Sequence, residues 1–299
     1  MIISASRRTD IPAYFSKWWM NRVEEGYVCV RNPFRYHQVS RVSLSPDVVD
    51  CIVFWSKNPK PFIPYLGKLN SYMYYFQYTL NAYGNEIETY LPSFYSRMET
   101  FRQLAKQIGK ERVIWRYDPI LISKKYTVDW HMEQFQMIAE GLEDCTQLCV
   151  ISFLDEYPRI KKGLERLNIR GVAENEKYMI ARGFSEITKE RGMELATCCE
   201  EIDLSSYGIG HSSCIDGKLI SKLLGYQIKG RKDKGQRKGC GCMESIDIGS
   251  YHTCPNGCVY CYAGGQNKKN GKKIADWNGN SPVLGSVLTE EDFVTDKGR

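Results

Sequence analysis

Through its first two hundred residues the chain alternates short, continuously apolar runs with stretches whose apolar residues recur at helical spacing. The runs lie at residues 2–5, 27–31, 51–55, 72–79, 112–117, 148–153 and 194–198. A continuous apolar run needs cover on both faces, the condition of a strand inside a parallel sheet. Between the runs, Phe94, Met98, Phe101, Ala105 and Ile108 share one helical face. Phe135, Ile138 and Leu142 share another, and Ile180, Phe184 and Ile187 a third. Pro12 and Pro92 stand where a first helical turn accepts proline, and Gly109 and Gly192 where helices stop. Strands alternating with helices of about 12–18 residues read as β/α units. The expected fold is therefore α/β and TIM-barrel-like, complete or incomplete, since no GxGxxG of a doubly wound sheet follows the first run. From about Gly208 the alternation stops and the chain becomes rich in glycine, lysine and cysteine. The expectation is a barrel-like domain over residues 1–207 and a cysteine-rich, metal-binding extension over 208–299 packed on the barrel mouth.

The residues that follow the apolar runs are polar. They are Arg7, Arg8 and Asp10; Arg31 and Asn32; Ser56 and Lys57; Asn81; Arg116 and Asp118; Ser152 and Asp155; and Cys199 with Glu200. In a barrel these positions fall on the catalytic rim. Arg7, Arg8, Lys57 and Arg116 would then present four cations to one opening, a setting suited to carboxylate or phosphate. Asp10, Asp118 and Glu200 are the candidates for proton transfer or for positioning a cation. The competing reading is that pairs such as Arg8–Asp10 and Arg116–Asp118 only tie the rim together.

With 299 residues and 42% hydrophobic content the chain can bury one large core. No apolar run reaches the ~18–20 residues that span a bilayer, so no membrane partner is expected. The opening Met-Ile-Ile-Ser-Ala-Ser-Arg-Arg places its apolar residues before its charges, the reverse of a signal peptide. The expected location is cytoplasmic. There a reducing thiol pool makes disulfides a poor account of twelve cysteines, which leaves burial or metal ligation. Cys29, Cys51, Cys145 and Cys149 sit in apolar contexts and read as core residues. The others gather in polar, glycine-flanked sequence.

Cys254, Cys258 and Cys261 form a CxxxCxxC run, with Tyr260 before the last thiol and Pro255-Asn256-Gly257 to turn the loop. Three thiolates cap three irons of a [4Fe-4S] cluster and leave the fourth iron open. Cys214, Cys240, Cys242 and one of Cys198 or Cys199 supply four more thiols, enough for a second [4Fe-4S] cluster or a zinc. His211 and His252 lie near enough in sequence to substitute, although loop and packing roles suit them better. Residues 227–299 carry 12 basic and 8 acidic side chains, the basic ones mostly within 229–238 and 268–273.

The CxxxCxxC run and its tyrosine resemble the signature of radical S-adenosylmethionine enzymes. That resemblance implies that the open iron holds the methionyl group, that an electron donor of flavodoxin or ferredoxin type serves it, and that a 5′-deoxyadenosyl radical results. In that superfamily the run follows the first strand, whereas here only 38 residues come after Cys261. Over nearly its whole length the chain also resembles the bacterial family called domain of unknown function 1848. This second resemblance rests on Ile2-Ile-Ser-Ala-Ser-Arg-Arg-Thr-Asp-Ile-Pro12, Ile52-Val-Phe-Trp-Ser-Lys-Asn-Pro-Lys-Pro61 and Arg116-Tyr-Asp-Pro119. It continues through Cys214-Ile-Asp216, Asp233-Lys-Gly-Gln-Arg237 and the cysteine-rich stretch from Cys240 to Ala263.

Two functions from different classes follow. One is an iron–sulfur enzyme acting on a small-molecule or nucleotide-like anionic substrate at the barrel mouth. The other is a zinc-stabilised nucleic-acid-binding protein, with the basic 229–238 stretch on phosphates.

Overall fold

A computed structural model describes residues 1–237, 239–264 and 277–297. Its strands are β1 (Ile2–Ala5), β2 (Tyr27–Arg31), β3 (Gln38–Ser43), β4 (Cys51–Ser56), β5 (Tyr74–Thr79) and β6 (Val113–Ile120). They continue with β7 (Leu148–Phe153), β8 (Glu194–Cys198), β9 (Gly210–Ser212), β10 (Ile246–Asp247) and β11 (Phe293–Lys297). The helices are α1 (Ile11–Tyr14), α2 (Ser16–Glu25), α3 (Phe94–Ile108), α4 (Val128–Gly141), α5 (Lys161–Arg166), α6 (Glu174–Glu190) and α7 (Gly217–Leu224).

Eight strands form one sheet in the order β10-β1-β4-β5-β6-β7-β8-β9. Every neighbouring pair in it is parallel. From β1 to β9 the order follows the chain without reversal, and β10 then returns to the free edge of β1.

The strand period of two sorts the side chains onto two faces. Ile3, Ile52, Phe54, Phe76, Trp115 and Ile151 pack with the helices in the larger core. There Trp115 stacks on Phe135 of α4 with ring centroids 4.8 Å apart, and Phe135 on Phe184 of α6 at 3.6 Å. Ile2, Val53, Tyr75, Ile114, Val150 and Cys198 form a second buried cluster on the opposite face. The sheet is curled around that second cluster. β5 and β8 stand three places apart, about 14 Å in a flat sheet. Yet Tyr75 and Gln77 of β5 donate to the carbonyl of Cys214 at 2.6 and 3.1 Å, and the Cys214 sulfur lies 3.3 Å from that of Cys198 in β8.

The run at 27–31 does not enter this sheet. β2 pairs antiparallel with β3, and β11 joins β3 in a separate three-stranded sheet. The reason is local. Asn32 accepts the N–H groups of Phe34 and Arg35 through its side chain, which makes a turn where a crossover helix would be needed for a parallel pair. Both faces of β2 are nonetheless covered at its centre, Val28 in the larger core and Cys29 on the other face with Val39 and Val283, so a continuous apolar run is ambiguous there.

Described residues beyond 208 are woven into the same body. β9 and β10 are strands of the main sheet, and Ile209, Ile248 and Leu284 are buried in its larger core. Among the described residues no helix is long and apolar enough to cross a membrane.

His131, fully buried in α4, hydrogen-bonds the Tyr117 hydroxyl at 2.7 Å and the Leu121 carbonyl at 2.8 Å. Burial pushes its pKa down to about 4. Below the ordinary histidine value the unfolded chain therefore takes up a proton that the folded chain refuses. Stability from this residue is complete above about pH 6.5 and is lost as pH falls towards 4. The expected loss is about 2 kcal/mol at pH 5 relative to pH 8. Urea unfolding at both pH values should show it, and His131→Asn should flatten that difference.

Candidate active site at the sheet's C-terminal edge

A cavity of about 1180 Å³ opens over the C-terminal ends of the parallel strands. Its walls come from the ends of β1, β4, β6, β7 and β8 and from the 233–264 segment folding back over them. The Cys254–Cys261 loop is fastened there by a dense set of contacts. The buried Asn256 side chain donates to Asp10 at 3.2 Å and accepts from the Tyr14 hydroxyl at 2.7 Å. The carbonyl of Asn256 accepts from the Tyr90 N–H, that of Gly257 from the Thr89 hydroxyl, and Val259 N–H donates to Ile87. Gly257 has a φ of +69°, and a Cβ there would stand 2.7 Å from the Tyr90 ring, so only glycine suits both the turn and the contact.

Tyr260 carries the loop's deepest anchor. Its hydroxyl bonds Glu88, which is 1% exposed, and accepts from Lys57 Nζ at 2.8 Å. Lys57 Nζ lies 2.9 Å from Glu88, and Arg97 Nη1 approaches the other Glu88 oxygen at 3.3 Å. Burial alone would raise the Glu88 pKa, but Lys57 and Arg97 outweigh it and hold the carboxyl below the usual range. Lys57 is thus neutralised beneath the loop.

The other rim residues also resolve into distinct roles. Arg116 is paired with Asp118 at 2.6 Å and points Nη1 at the Cys214 sulfur, 3.2 Å away. Burial works against ionisation of Asp118, but Arg116 and the Ser152 hydroxyl hold its carboxyl below the ordinary value. Asp10 caps α1 through the Ala13 N–H and also accepts from Ser56 and from the Lys57 N–H, so it is a joint of the scaffold. Arg8 lies over the Tyr251 ring at 4.9 Å and reaches Asp247 at 4.0 Å. Asp247 in turn accepts from Ser4, Ser6 and the Arg7 N–H, fixing β10 to β1. Glu200 is not a cavity residue: it accepts the Phe153 N–H at 2.9 Å. Arg7 differs from all of these. Its guanidinium stands 5.3 Å from the Trp55 ring centre, and its buried Nη2 has no hydrogen-bond partner among the described residues.

The thiols that line the cavity fall into two sets. Cys254, Cys258 and Cys261 sense one another's charge, but no hydrogen bond joins their sulfurs among the described residues. Burial pushes the Cys254 thiol up to about 12, and Cys258 well above its ordinary value. Such thiols ionise once a cation is bound to them, and an iron–sulfur cluster supplies one while reaching across separated sulfurs. The donor set, three thiols of one loop lining one cavity, therefore fits a cluster.

The second set is tighter. The Cys214 sulfur lies 3.3 Å from that of Cys198, and Cys240 and Cys242 lie in the same buried cluster. Contact with Cys242 lowers the Cys240 thiol to about 7. It is Cys198, at the end of β8, that joins this group. Cys199, the other cysteine the sequence left open, has a φ of +59° and lies among the charges of Arg237 and Asp155 instead. Among the described residues no three His, Cys, Asp or Glu side chains are spaced to hold a metal ion as they stand. His211 bonds Thr197 and His252 bonds Arg159, which gives both histidines other partners.

Within the basic 229–238 stretch, Arg237 pairs with Asp155 at the cavity rim. Lys238 and the 268–273 run lie outside the described residues. Sequence reasoning missed Glu88, Arg97, Asn256 and Asp247 as elements of the site. Asp247 and Asn256 stand in the cysteine-rich stretch, but Glu88 sits in a loop whose composition carries no signal.

Comparison with known proteins adds little beyond the family. No curated protein matches the chain. One solved structure overlaps it weakly, a "putative alpha-L-fucosidase" from Bacteroides thetaiotaomicron VPI-5482. It is 12% identical, with 62% of this chain and 76% of that one covered and a TM-score of 0.28, too slight a likeness to carry an argument. The family model described as "Domain of unknown function (DUF1848)" matches residues 2–263, and the chain belongs to that family.

Proposed function

We propose that this chain is an iron–sulfur enzyme of radical S-adenosylmethionine-like type, acting on a small anionic substrate in the cavity over the strand ends. The observation that supports it most is the meeting of three loop thiols and an unpaired guanidinium in one space. Cys254, Cys258 and Cys261 line the same cavity as Arg7. We read the sheet as an incomplete barrel, supported by its one-way strand order and its curl around residue 214.

Cys254, Cys258 and Cys261 would hold a [4Fe-4S] cluster, which when bound supplies one electron and an open coordination position. Arg7 would hold a carboxylate or phosphate, because its Nη2 is buried without a partner and Trp55 orients its plane. Tyr260, Lys57 and Glu88 would keep the loop rigid under the cluster and would not touch substrate. Asp118 and Arg116 would fix the floor. At about 1180 Å³ the cavity exceeds the ~300–1,000 Å³ of a typical single-ligand site, room for a cluster, S-adenosylmethionine and a small substrate together.

The test is to reconstitute and reduce the protein anaerobically, add S-adenosylmethionine and measure 5′-deoxyadenosine. Accumulation that requires Cys258 is the expected result. Its absence from protein carrying a full iron complement would overturn the adenosyl chemistry.

A further inference from the structure

We propose that Cys198, Cys214, Cys240 and Cys242 form a second metal site, closed by four protein ligands, that takes a single tetrahedral zinc-type ion and staples the two edges of the curled sheet. The proposal does not depend on the loop cluster, since none of its ligands belongs to that loop.

The four thiols come from three separate parts of the chain. Cys198 ends β8, Cys214 follows β9, and Cys240 and Cys242 precede β10. β9 and β10 are the opposite edges of the sheet and do not pair with each other. The sulfurs therefore meet across the seam that the backbone leaves open. Cys198, Cys240 and Cys242 are each less than one-tenth exposed, in a cluster with Ile2, Ile215 and Ile220.

Sulfur spacing selects the kind of metal. Thiolates on one tetrahedral zinc stand about 3.8 Å apart, given a Zn–S bond near 2.3 Å. Thiolates on the corners of a cube stand about 6–7 Å apart. The Cys198–Cys214 separation is 3.3 Å, and Cys240 and Cys242 lie in the same buried cluster. Holding one ion asks the Cys198 and Cys214 sulfurs to part by about half an ångström, whereas a cube would ask them to about double their separation. A closed site of this kind leaves no position for substrate, so its role is structural.

The surroundings suit thiolates as well as thiols. The Ile215 N–H points at the Cys242 sulfur at 3.4 Å. Arg116, 5% exposed, directs Nη1 at the Cys214 sulfur at 3.2 Å. Four thiolates around a divalent ion carry two net negative charges, and Arg116 supplies a balancing cation beside them.

The test separates this site from the loop. The Cys254→Ala/Cys258→Ala/Cys261→Ala variant is purified anaerobically, and its zinc, iron and acid-labile sulfide are counted. The expected result is about one zinc per chain, exchangeable for Co²⁺ with the absorption of tetrahedral thiolate coordination. In the converse variant, Cys214→Ser/Cys242→Ser with the loop intact, that zinc should be absent while loop-bound iron remains. A loop variant with no metal would overturn the proposal, as would one with about four irons and sulfide. If the loop variant does not fold, the wild-type protein decides: less than about half an equivalent of zinc, unaffected by the Cys214/Cys242 substitutions, also overturns it.

Discussion

Replacing Glu88 with alanine is expected to destabilise the protein by about 3–5 kcal/mol, the usual consequence of leaving buried charge uncompensated. The magnitude follows from the position of the carboxylate. It is 1% exposed between Lys57 and Arg97, and it also receives the Tyr260 hydroxyl and the Asn81 side chain. Its removal strands two cations away from water and unfastens the cysteine loop at its deepest anchor. Urea denaturation should show the loss as a lowered midpoint. Glu86, two residues away and half-exposed, pairs with Lys125 at the surface, and its replacement should cost about 1 kcal/mol or less. A Glu88→Ala midpoint close to that of the Glu86 variant would contradict the network described.

The second large effect separates two arginines that look alike in sequence. Arg116→Met should cost about 3 kcal/mol, because it leaves Asp118 charged, largely buried and without the guanidinium whose Nε and Nη2 both donate to its Oδ2. Arg7→Met should change stability by less than about 1 kcal/mol, since the lost group has an unmet hydrogen-bonding nitrogen and methionine can still cover Trp55. Its effect should appear in ligand binding, read as weakened retention of S-adenosylmethionine or substrate. Equal unfolding midpoints for the two variants would show that the charges on this rim are interchangeable, against the present account.

Much of the architecture was legible because periodicity is a backbone property. The runs at β1, β4, β5, β6, β7 and β8 are apolar on both faces, and the Phe94 and Phe135 helices show their stripes plainly. Residues 27–31 misled because Val28 and Cys29 of β2 are buried on opposite faces, Val28 in the larger core and Cys29 with Val39 and Val283. β9 and β10 are three and two residues long, below the length at which a pattern can be read.

The site was legible in part for a related reason. Strand-end position is a local signal, and it picked out Arg7, Arg8, Lys57 and Arg116. What each cation faces is a matter of long-range pairing, so four equal candidates became three neutralised or tethered groups and one unpaired. The choice of Cys198 over its neighbour turned on backbone direction at the end of β8, where Cys199 alone has positive φ. Two adjacent cysteines give no hint of that in sequence.

Whether the cysteine loop holds a cluster decides the function of the cavity. The decisive measurement is iron, acid-labile sulfide and visible absorbance of anaerobically purified protein, compared with the triple variant Cys254→Ala/Cys258→Ala/Cys261→Ala. The prediction is a brown protein absorbing near roughly 400 nm, with about four irons and four sulfides per chain, all lost in the variant. A wild-type protein that stays colourless after reconstitution, or a variant that keeps its full iron, would contradict it.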